Sequence, residues 1–247
     1  IPATGGTSQL VLDVGHPAWQ VEWSPDGRHL AVCCEMHGQD YGVFLVDLET
    51  KEVTELELNA HDPKWSADGK QLAFHSDPRG QFDIGIYDLE SKEISWIAMN
   101  EGDSQSPTFL SSDQLACTFR KGTINWTELI DNRGGRKKYQ VGKGIHAGTK
   151  LTPDLKRMVT TFSSPSQPPD LWMTEVESGK SFQLTHSMPD DLSSEEFVLP
   201  EEIEYPGMDG VPVPALLFRP AKTPAPAVVM IHGGPNSHYS MEWNTVI

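Results

Sequence analysis

Residues 21–32 read VEWSPDGRHLAV and residues 63–74 read PKWSADGKQLAF, so the same pattern returns after 42 positions. In both stretches a tryptophan closes one segment, a Ser-x-Asp-Gly turn follows, and a Leu-Ala segment returns. A third copy, PTFLSSDQLAC, occupies residues 107–117, and a weaker fourth, LTPDLKRMVT, occupies residues 151–160. Asp-Gly between apolar alternations is a strong hairpin signal, because glycine accepts the positive φ that such turns need. The repeat therefore predicts a regular series of β-hairpins.

Two further strands complete each repeat. The third strand ends at an acidic residue and the fourth follows another polar turn; these segments are residues 43–47, 84–88, 53–56, 94–97 and 182–184. Four antiparallel strands about every 42 residues are the period of a β-propeller blade. We therefore predict a mainly β chain with about four blades between residues 16 and 187, plus one strand at residues 9–13.

Two other all-β architectures are less consistent with the repeat. A β-sandwich also has short alternating strands, but it does not return a Trp-turn-Leu-Ala signature at a fixed period. A solenoid stacks its units without closing and usually has shorter repeats. The pattern favours the propeller.

The period is lost after residue 194. Residues 202–206 and 211–218 flank a Gly-Met-Asp-Gly turn and predict another hairpin. Residues 227–231, AVVMI, form a continuous apolar run that suits a strand buried on both faces of a helix-covered sheet. Gly-Gly-Pro follows this run at residues 233–235, and a hairpin, a central strand and such a loop are the order in which an α/β-hydrolase sheet begins. We therefore divide the chain into a propeller at 1–194 and the N-terminal part of an α/β-hydrolase domain, the expected catalytic domain, at 195–247.

Composition limits the partners. The 247 residues are 37% hydrophobic and 22% charged, an ordinary globular balance. A formal net charge of −16 argues against nucleic acid or an anionic membrane as a partner. No apolar stretch approaches the roughly 18 residues that a membrane span requires. The sequence therefore predicts neither a nucleic-acid nor a membrane partner.

The cysteines and histidines argue against disulfides and metal sites. Three cysteines cannot form a closed disulfide set, and Cys33 and Cys34 are neighbours on a predicted strand, so they point to opposite faces. We expect a reducing, cytoplasmic location; because Ile1 is not an initiator methionine, removal of a signal peptide stays open. The nine histidines lack ligand spacing, so we expect no metal and no cofactor.

Four motifs together carry a family resemblance. They are WSPDG at residues 23–27, PDLW at 169–172, Asp-Gly at 209–210 and His-Gly-Gly-Pro at 232–235. With these, essentially the whole chain resembles the prolyl oligopeptidase family of serine peptidases, most closely its acylaminoacyl-peptidase branch. The blade signature alone is less specific, since other propellers share it, including that of the Tol translocation system.

The resemblance implies a function and a site. It implies a propeller that restricts access to a Ser-Asp-His site in an α/β-hydrolase domain, so that short or N-acylated peptides are hydrolysed. It also implies that the backbone N–H of Gly234 is an oxyanion donor, in a loop made of His232, Gly233, Gly234 and Pro235. Glycine lets the backbone approach a substrate closely, which agrees with that role. His232 is interpreted as a residue that shapes the loop, and the alternative is that Gly-Gly-Pro only turns the chain.

The triad itself is not expected in this chain. No Gly-x-Ser-x-Gly motif occurs, since residues 6–10 lack the final glycine. In this fold the nucleophile, acid and base all follow the oxyanion loop. We therefore expect all three beyond residue 247, in the remainder of the catalytic domain, and we expect residues 236–247 to begin a helix. The 247-residue chain alone is predicted to be inactive.

Other charged residues are weaker candidates. Glu195, Glu196, Glu201 and Glu202 resemble the paired glutamates with which dipeptidyl-peptidase relatives hold a substrate amino terminus, although a solvated linker fits them better. Three arginines could each bind a substrate carboxylate: Arg79, Arg120 and Arg157. Residues 133–138 are interpreted as a solvated hairpin turn.

The leading hypothesis is therefore a serine peptidase acting on peptides. The alternative is a non-catalytic propeller that serves as a binding or scaffold module. Substrate specificity, exo- or endo-action, total blade number and assembly into a homo-oligomer stay open.

Overall fold

The computed structural model describes residues 5–8, 10, 13, 15–36, 40–56, 58–98, 101–131, 133–234 and 237–244. Strands dominate these residues, whose helical content is a single 3-10 turn at Ser194–Glu196. The predicted strand at residues 9–13 lies mostly outside them and stays a prediction.

Sixteen of the strands form four four-stranded sheets, each built from strands consecutive in sequence. The first contains β1 (Ala18–Trp23), β2 (His29–Glu35), β3 (Tyr41–Asp47) and β4 (Val53–Leu56). The second contains β5 (Ala60–Trp65), β6 (Gln71–Ser76), β7 (Asp83–Asp88) and β8 (Ile94–Ala98). The third contains β9 (Asp103–Ser111), β10 (Gln114–Lys121), β11 (Ile124–Asp131) and β12 (Arg136–Tyr139). The fourth contains β13 (Ile145–Leu151), β14 (Arg157–Ser164), β15 (Gln167–Glu175) and β16 (Ser181–Gln183).

In every sheet the strands lie side by side in chain order, as in a propeller blade. The prediction of four-stranded blades is confirmed.

A repeated hydrogen-bond pattern closes the first hairpin of three sheets. In the first, the Ser24 hydroxyl donates to the Asp26 carboxylate at 2.6 Å and accepts from the His29 backbone N–H at 2.8 Å. The same two bonds recur at Ser66 and at Thr152. The backbone N–H groups of a turn need hydrogen-bond partners. Here a single hydroxyl accepts from one such N–H and donates to the Asp carboxylate of the turn. This bonding explains why Ser or Thr with Asp marks every such turn.

The backbone of these turns requires a left-handed residue. Gly27 and Gly69 have φ of 71° and 72°. In the fourth sheet Leu155 takes that role at φ 56°, where no glycine is present. A leucine in this region is strained relative to glycine, which accounts for the weaker sequence signal of the fourth copy.

The core of the first two sheets lies on both faces of β2. Cys33 packs in a cluster with Leu72 and Phe74 of the second sheet, whereas Cys34 packs with Phe44 on the other side. The prediction that the two neighbouring cysteines face opposite sides is confirmed.

The described residues divide into two compact units. Those up to Phe119, with Glu128–Lys137, form the first, and Arg120–Thr127 with those from Lys138 onward form the second. The domain boundary predicted after residue 194 lies inside the second unit and stays a prediction.

A fifth sheet follows the blades. It pairs β17 (Glu201–Pro206) with β18 (Pro212–Leu217), so the predicted hairpin is confirmed. The predicted strand at residues 227–231 is wrong for this structure, because these residues are not in a strand and Val228 and Ile231 are 86% and 85% exposed. A central strand depends on neighbours that pair with it and cover it, and none of the described strands does so. Residues 237–244, where a helix was predicted, are also irregular.

The interpretation of residues 133–138 as a solvated turn also needs correction. The turn ends at Gly135, and β12 begins at Arg136. The Arg136 guanidinium donates to the nearly buried Glu128 carboxylate at 2.8 Å. A buried carboxylate needs a counter-charge, and Arg136 provides it from the first position of β12. Arg136 therefore belongs to the sheet and not to the turn.

Candidate functional site

The predicted oxyanion loop lies in the second unit. His232, Gly233 and Gly234 are exposed in an irregular segment, and Pro235 lies outside the described residues. The His232 Nδ1 lies 3.0 Å from the Gly233 carbonyl oxygen, and its ring meets that of Tyr239 edge to face at 6.3 Å. These contacts are consistent with His232 shaping the loop.

The two glycines of the loop differ sharply. Gly234 has φ of 115°, and a Cβ added there would lie 2.8 Å from the Cβ of Ser237. A Cβ added at Gly233 would meet nothing within 4 Å. Position 234 therefore needs glycine for both backbone and steric reasons, whereas position 233 leaves open space beside the chain.

The segment that follows the loop is held at three points. The Arg120 guanidinium donates to Nε2 of His238, and the Met241 N–H donates to the Thr123 carbonyl at 2.8 Å. The Trp243 ring packs edge to face on Phe197 at 4.8 Å. Met241 is buried at 3% exposure.

The glutamates at 201 and 202 are not linker residues. Both lie on β17, where Glu201 accepts from Arg219 at 2.7 Å. Glu202 accepts from the Thr123 hydroxyl and from the Lys143 ammonium, the latter at 2.9 Å. These two donors lower the pKa of Glu202. Both residues lie on a paired strand, so the prediction of a linker is wrong for them, whereas both carboxylates are solvent-exposed as predicted.

Glu195 and Glu196 lie in the 3-10 turn. Ser193 caps this turn, and the Glu196 carboxylate accepts from the Ser193 N–H at 2.7 Å. This reciprocal pair is a capping box, a local structural role.

The three candidate arginines have different partners. Arg79 binds both oxygens of the fully buried Asp83 carboxylate, at 2.8 and 2.7 Å. Arg120 contacts His238, and Arg157 is exposed on β14. A bidentate pair of this kind occupies the guanidinium, so Arg79 has a structural partner in place of a substrate carboxylate.

Sequence reasoning missed two buried histidine sites. His75 stacks on His61 with ring centroids 5.1 Å apart, and Phe82 meets both rings edge to face. Burial, followed by the neighbouring His61, lowers the pKa of His75 to about 3. Lone histidines on strands gave no spacing signal, and only the pairing of β5 with β6 brings these two together.

The second missed histidine is His146. Its Nδ1 lies 2.9 Å from the Asn125 carbonyl oxygen, and its Nε2 accepts from the Val141 N–H at 2.9 Å. Burial lowers the pKa of His146 to about 4. The buried His146 ring thus connects the backbone of Asn125 with that of Val141 inside the second unit.

No cluster of three or more His, Cys, Asp or Glu side chains suited to a metal occurs among the described residues. Over the same part of the chain, no helix is long and apolar enough to cross a membrane.

No family model matches the chain. In sequence it is 32% identical over 93 residues to an uncharacterized peptidase, YuxL, of Bacillus subtilis, a stretch covering 36% of the chain and 14% of that relative. It is 34% identical over 109 residues to the acylamino-acid-releasing enzyme of Sus scrofa, covering 38% of the chain and 14% of the enzyme. The matched stretches thus span about a seventh of each curated relative.

Solved structures share the fold over nearly the whole chain. A puromycin hydrolase superposes with a TM-score of 0.81 at 18% identity, covering 94% of this chain and 40% of the hydrolase. The acylaminoacyl peptidase of Pyrococcus horikoshii gives 0.66 at 16% identity, covering 91% and 36%. Together with the sequence matches, these confirm the resemblance to the prolyl oligopeptidase family and the propeller fold.

Proposed function

We propose that this chain is the propeller-bearing part of a serine peptidase that hydrolyses short or N-acylated peptides. In this proposal the Ser-Asp-His residues lie beyond residue 247, the propeller limits access, and the Gly234 N–H is an oxyanion donor. The main observation in its support is the loop, in which Gly234 cannot be replaced without strain. This loop follows blades that resemble those of peptidases. The share of the hydrolase that this chain covers, 40%, is consistent with a larger whole protein. The buried cysteines, none in a disulfide, support a reducing compartment.

The chemistry of the loop supports the role of Gly234. A tetrahedral oxyanion needs preorganised donors about 3 Å away, and losing one costs roughly 100- to 1,000-fold in kcat. Open space beside Gly233 leaves room for a substrate carbonyl to approach the backbone. Because this negative charge is present in the transition state and the tetrahedral intermediate but not in the bound substrate, damage to its donor should affect kcat more than KM.

Two glycine variants of the full-length protein test this. Gly234→Ala strains the backbone and should reduce kcat for an N-acetylated amino-acid anilide by about 100-fold or more, with little change in KM. Gly179→Ala is the matched control, since Gly179 also has a positive φ, of 72°, and an added Cβ meets nothing within 4 Å, but it lies between β15 and β16 and should retain most activity. Equal losses in both variants would refute the assignment of the donor to Gly234.

A fluorophosphonate probe tests the reaction class. The full-length protein should be labelled at a serine beyond residue 247, and the 247-residue chain should not be labelled. Labelling of the short chain would show that the active site has been misplaced, and a folded full-length protein that never reacts would favour the non-catalytic scaffold.

The access role of the propeller needs a separate comparison. The full-length protein should hydrolyse an N-acetylated tripeptide but leave a folded protein of similar terminal sequence intact. Comparable cleavage of both substrates would refute a gating role.

A further inference from the structure

The segment His238–Met241 is the first well-anchored stretch after the exposed loop. Met241 is the only buried residue among the described residues that follow Phe218. Its N–H donates to the Thr123 carbonyl, and Nε2 of His238 accepts a hydrogen bond from the Arg120 guanidinium. Arg120 is the next-to-last residue of β10, and Thr123 is the second residue of the two-residue turn that joins β10 to β11. The anchor of this segment is therefore the tip of one blade hairpin.

The tip itself is fixed by charge. The Thr123 hydroxyl donates to one oxygen of Glu202, and the Lys143 ammonium binds the other at 2.9 Å. Glu202 lies on β17, which pairs with β18 along its whole length. The turn is thus attached to an ordered hairpin of the same compact unit, and it can hold a neighbouring segment in place.

The anchored segment is coupled back to Gly234. Gly234 lies so close to Ser237 that a Cβ would overlap it, and the Tyr239 ring meets that of His232. Three residues lie between Gly234 and His238, so the Cα atoms of these two are about 15 Å apart at most. Ser237 is next to His238 in the chain and lies against Gly234, so a shift of His238 is transmitted to Gly234 through Ser237.

We propose that the turn joining β10 and β11 positions the oxyanion loop, with Arg120 and Thr123 as the positioning residues. This inference rests on the proposed function. Neither residue touches substrate; they set the place of the Gly234 N–H through His238 and Met241. Arginine suits this role because its guanidinium can only donate hydrogen bonds. The His238 nitrogen that faces it must therefore be an acceptor, which orients the imidazole ring. Misplacing a catalytic group by about 1 Å can cost up to 100-fold in rate, so a contact distant from the reacting atoms can have a measurable effect.

Kinetics of the full-length protein test the proposal. Arg120→Ala should lower both kcat and the rate of fluorophosphonate labelling about 10-fold, with KM changed less than about 2-fold. The inhibition constant of a peptide aldehyde, whose bound hemiacetal carries an oxyanion, should rise in parallel. Arg120→Lys should restore part of each loss, because it keeps one charged donor.

The matched control is Lys156→Ala. Lys156 is an exposed cation in the turn before β14 in the same unit, and its hydrogen bonds to Asp154 and Val176 are made by its backbone. This variant should stay within about 2-fold of the unaltered protein, as is usual for a surface substitution. An equal loss in both variants, or a rise in KM without a fall in kcat, would overturn the positioning role.

Hydrogen exchange provides a readout that does not require activity. Arg120→Ala and His238→Ala should each speed exchange of the Met241 amide, and the double variant should show less than the sum of the two effects, as for residues in contact. Additive effects, or no change, would overturn the proposal. A full-length protein that folds but is never labelled overturns the proposed function and this inference with it, whereas normal labelling of Arg120→Ala overturns only the inference.

Discussion

Acid should weaken the second unit through His146 well before its carboxylates protonate. The Val141 N–H donates to Nε2 of His146, so Nε2 carries no proton, and Nδ1–H donates to the Asn125 carbonyl. Protonating Nε2 would set two N–H groups against each other inside a site where His146 is 4% exposed. The folded protein therefore resists the second proton, and the unfolded chain does not.

The magnitude follows from the two pKa values. The folded pKa is about 4 and the ordinary value is 6.5. The contribution of His146 is complete above pH 6.5, is lost as the pH falls toward 4, and changes no further below that. The full difference corresponds to about 3 kcal/mol, of which about 2 kcal/mol is lost by pH 5.

Carboxylates act in a different window. The pKa values of Asp26, Asp68 and Asp154 are lowered by the Ser or Thr hydroxyl of their turns and by backbone N–H groups. Their stabilisation is present above the ordinary value of 3.8 and is lost as the pH falls through the lowered folded values. Glu202, whose pKa is lowered from an ordinary value of 4.5, begins to contribute at slightly higher pH. Stability lost between pH 6.5 and 5 therefore belongs mainly to histidines.

Urea unfolding of the chain and of His146→Gln at several pH values between 7 and 4 isolates this residue. Glutamine offers a donor and an acceptor but does not titrate. The variant should be less stable at pH 7 and should lose about 2 kcal/mol less between pH 7 and pH 5. The contributions of His61 and His75 cancel in the difference. Parallel pH profiles for the two proteins would refute the reasoning.

Three substitutions test the packing of the blades by chemical denaturation. Ser66→Ala removes both bonds of the second Ser-x-Asp turn and should cost about 1–2 kcal/mol; no loss would mean that the turn backbone suffices. Gly85→Ala would place a Cβ 2.6 Å from the ring of the fully buried Phe74 and should cost about 1–3 kcal/mol, unless the ring can move. The Thr185 hydroxyl is one of the donors to the Asp170 carboxylate, so Asp170→Asn removes a charged acceptor. This variant should lower the free energy of unfolding by about 1.5–3 kcal/mol, and an unchanged denaturation midpoint would contradict this.

The blades could be predicted because their signals are local and repeated. The Ser-x-Asp-Gly turns bond within six residues, so the sequence contains all the partners. The period then extends the same anatomy to copies with poorer motifs, such as the one where Leu155 replaces glycine.

The period does not predict what surrounds each copy. Trp23 and Trp65 occupy equivalent positions, yet Trp65 donates its indole N–H to the Glu22 carbonyl at 3.2 Å while Trp23 is 59% exposed. The difference lies in which strand neighbours each tryptophan, and a repeat in the sequence carries no information on that.

The predicted site residues also form a motif that is contiguous in the sequence, but the residues that contact them come from other parts of the chain. The His-Gly-Gly motif identifies the loop, and the need for glycine at 234 is visible only in its φ and its contact with Ser237. The strand prediction at residues 227–231 failed because an apolar run specifies burial without specifying the partners that provide it. Glu202 was misjudged for the same reason, since its donors Thr123 and Lys143 are 79 and 59 residues away.

The anchor of the loop lies where the blades depart from one another. The hairpin strands β10 and β11 have eight residues each, whereas β6 and β7 of the second sheet have six. Longer strands joined by a two-residue turn carry the tip farther along the strand direction, by about 3.3 Å for each added residue. Strands β14 and β15 of the fourth sheet are as long, with eight and nine residues and a two-residue turn, so length alone does not distinguish the β10–β11 tip. The contact depends on the residues at the tip, because the Arg120 guanidinium and the Thr123 carbonyl are the groups that bond the segment after the loop. A repeat fold can thus acquire a new contact by changing the residues at one hairpin tip without altering the turns that define the other blades.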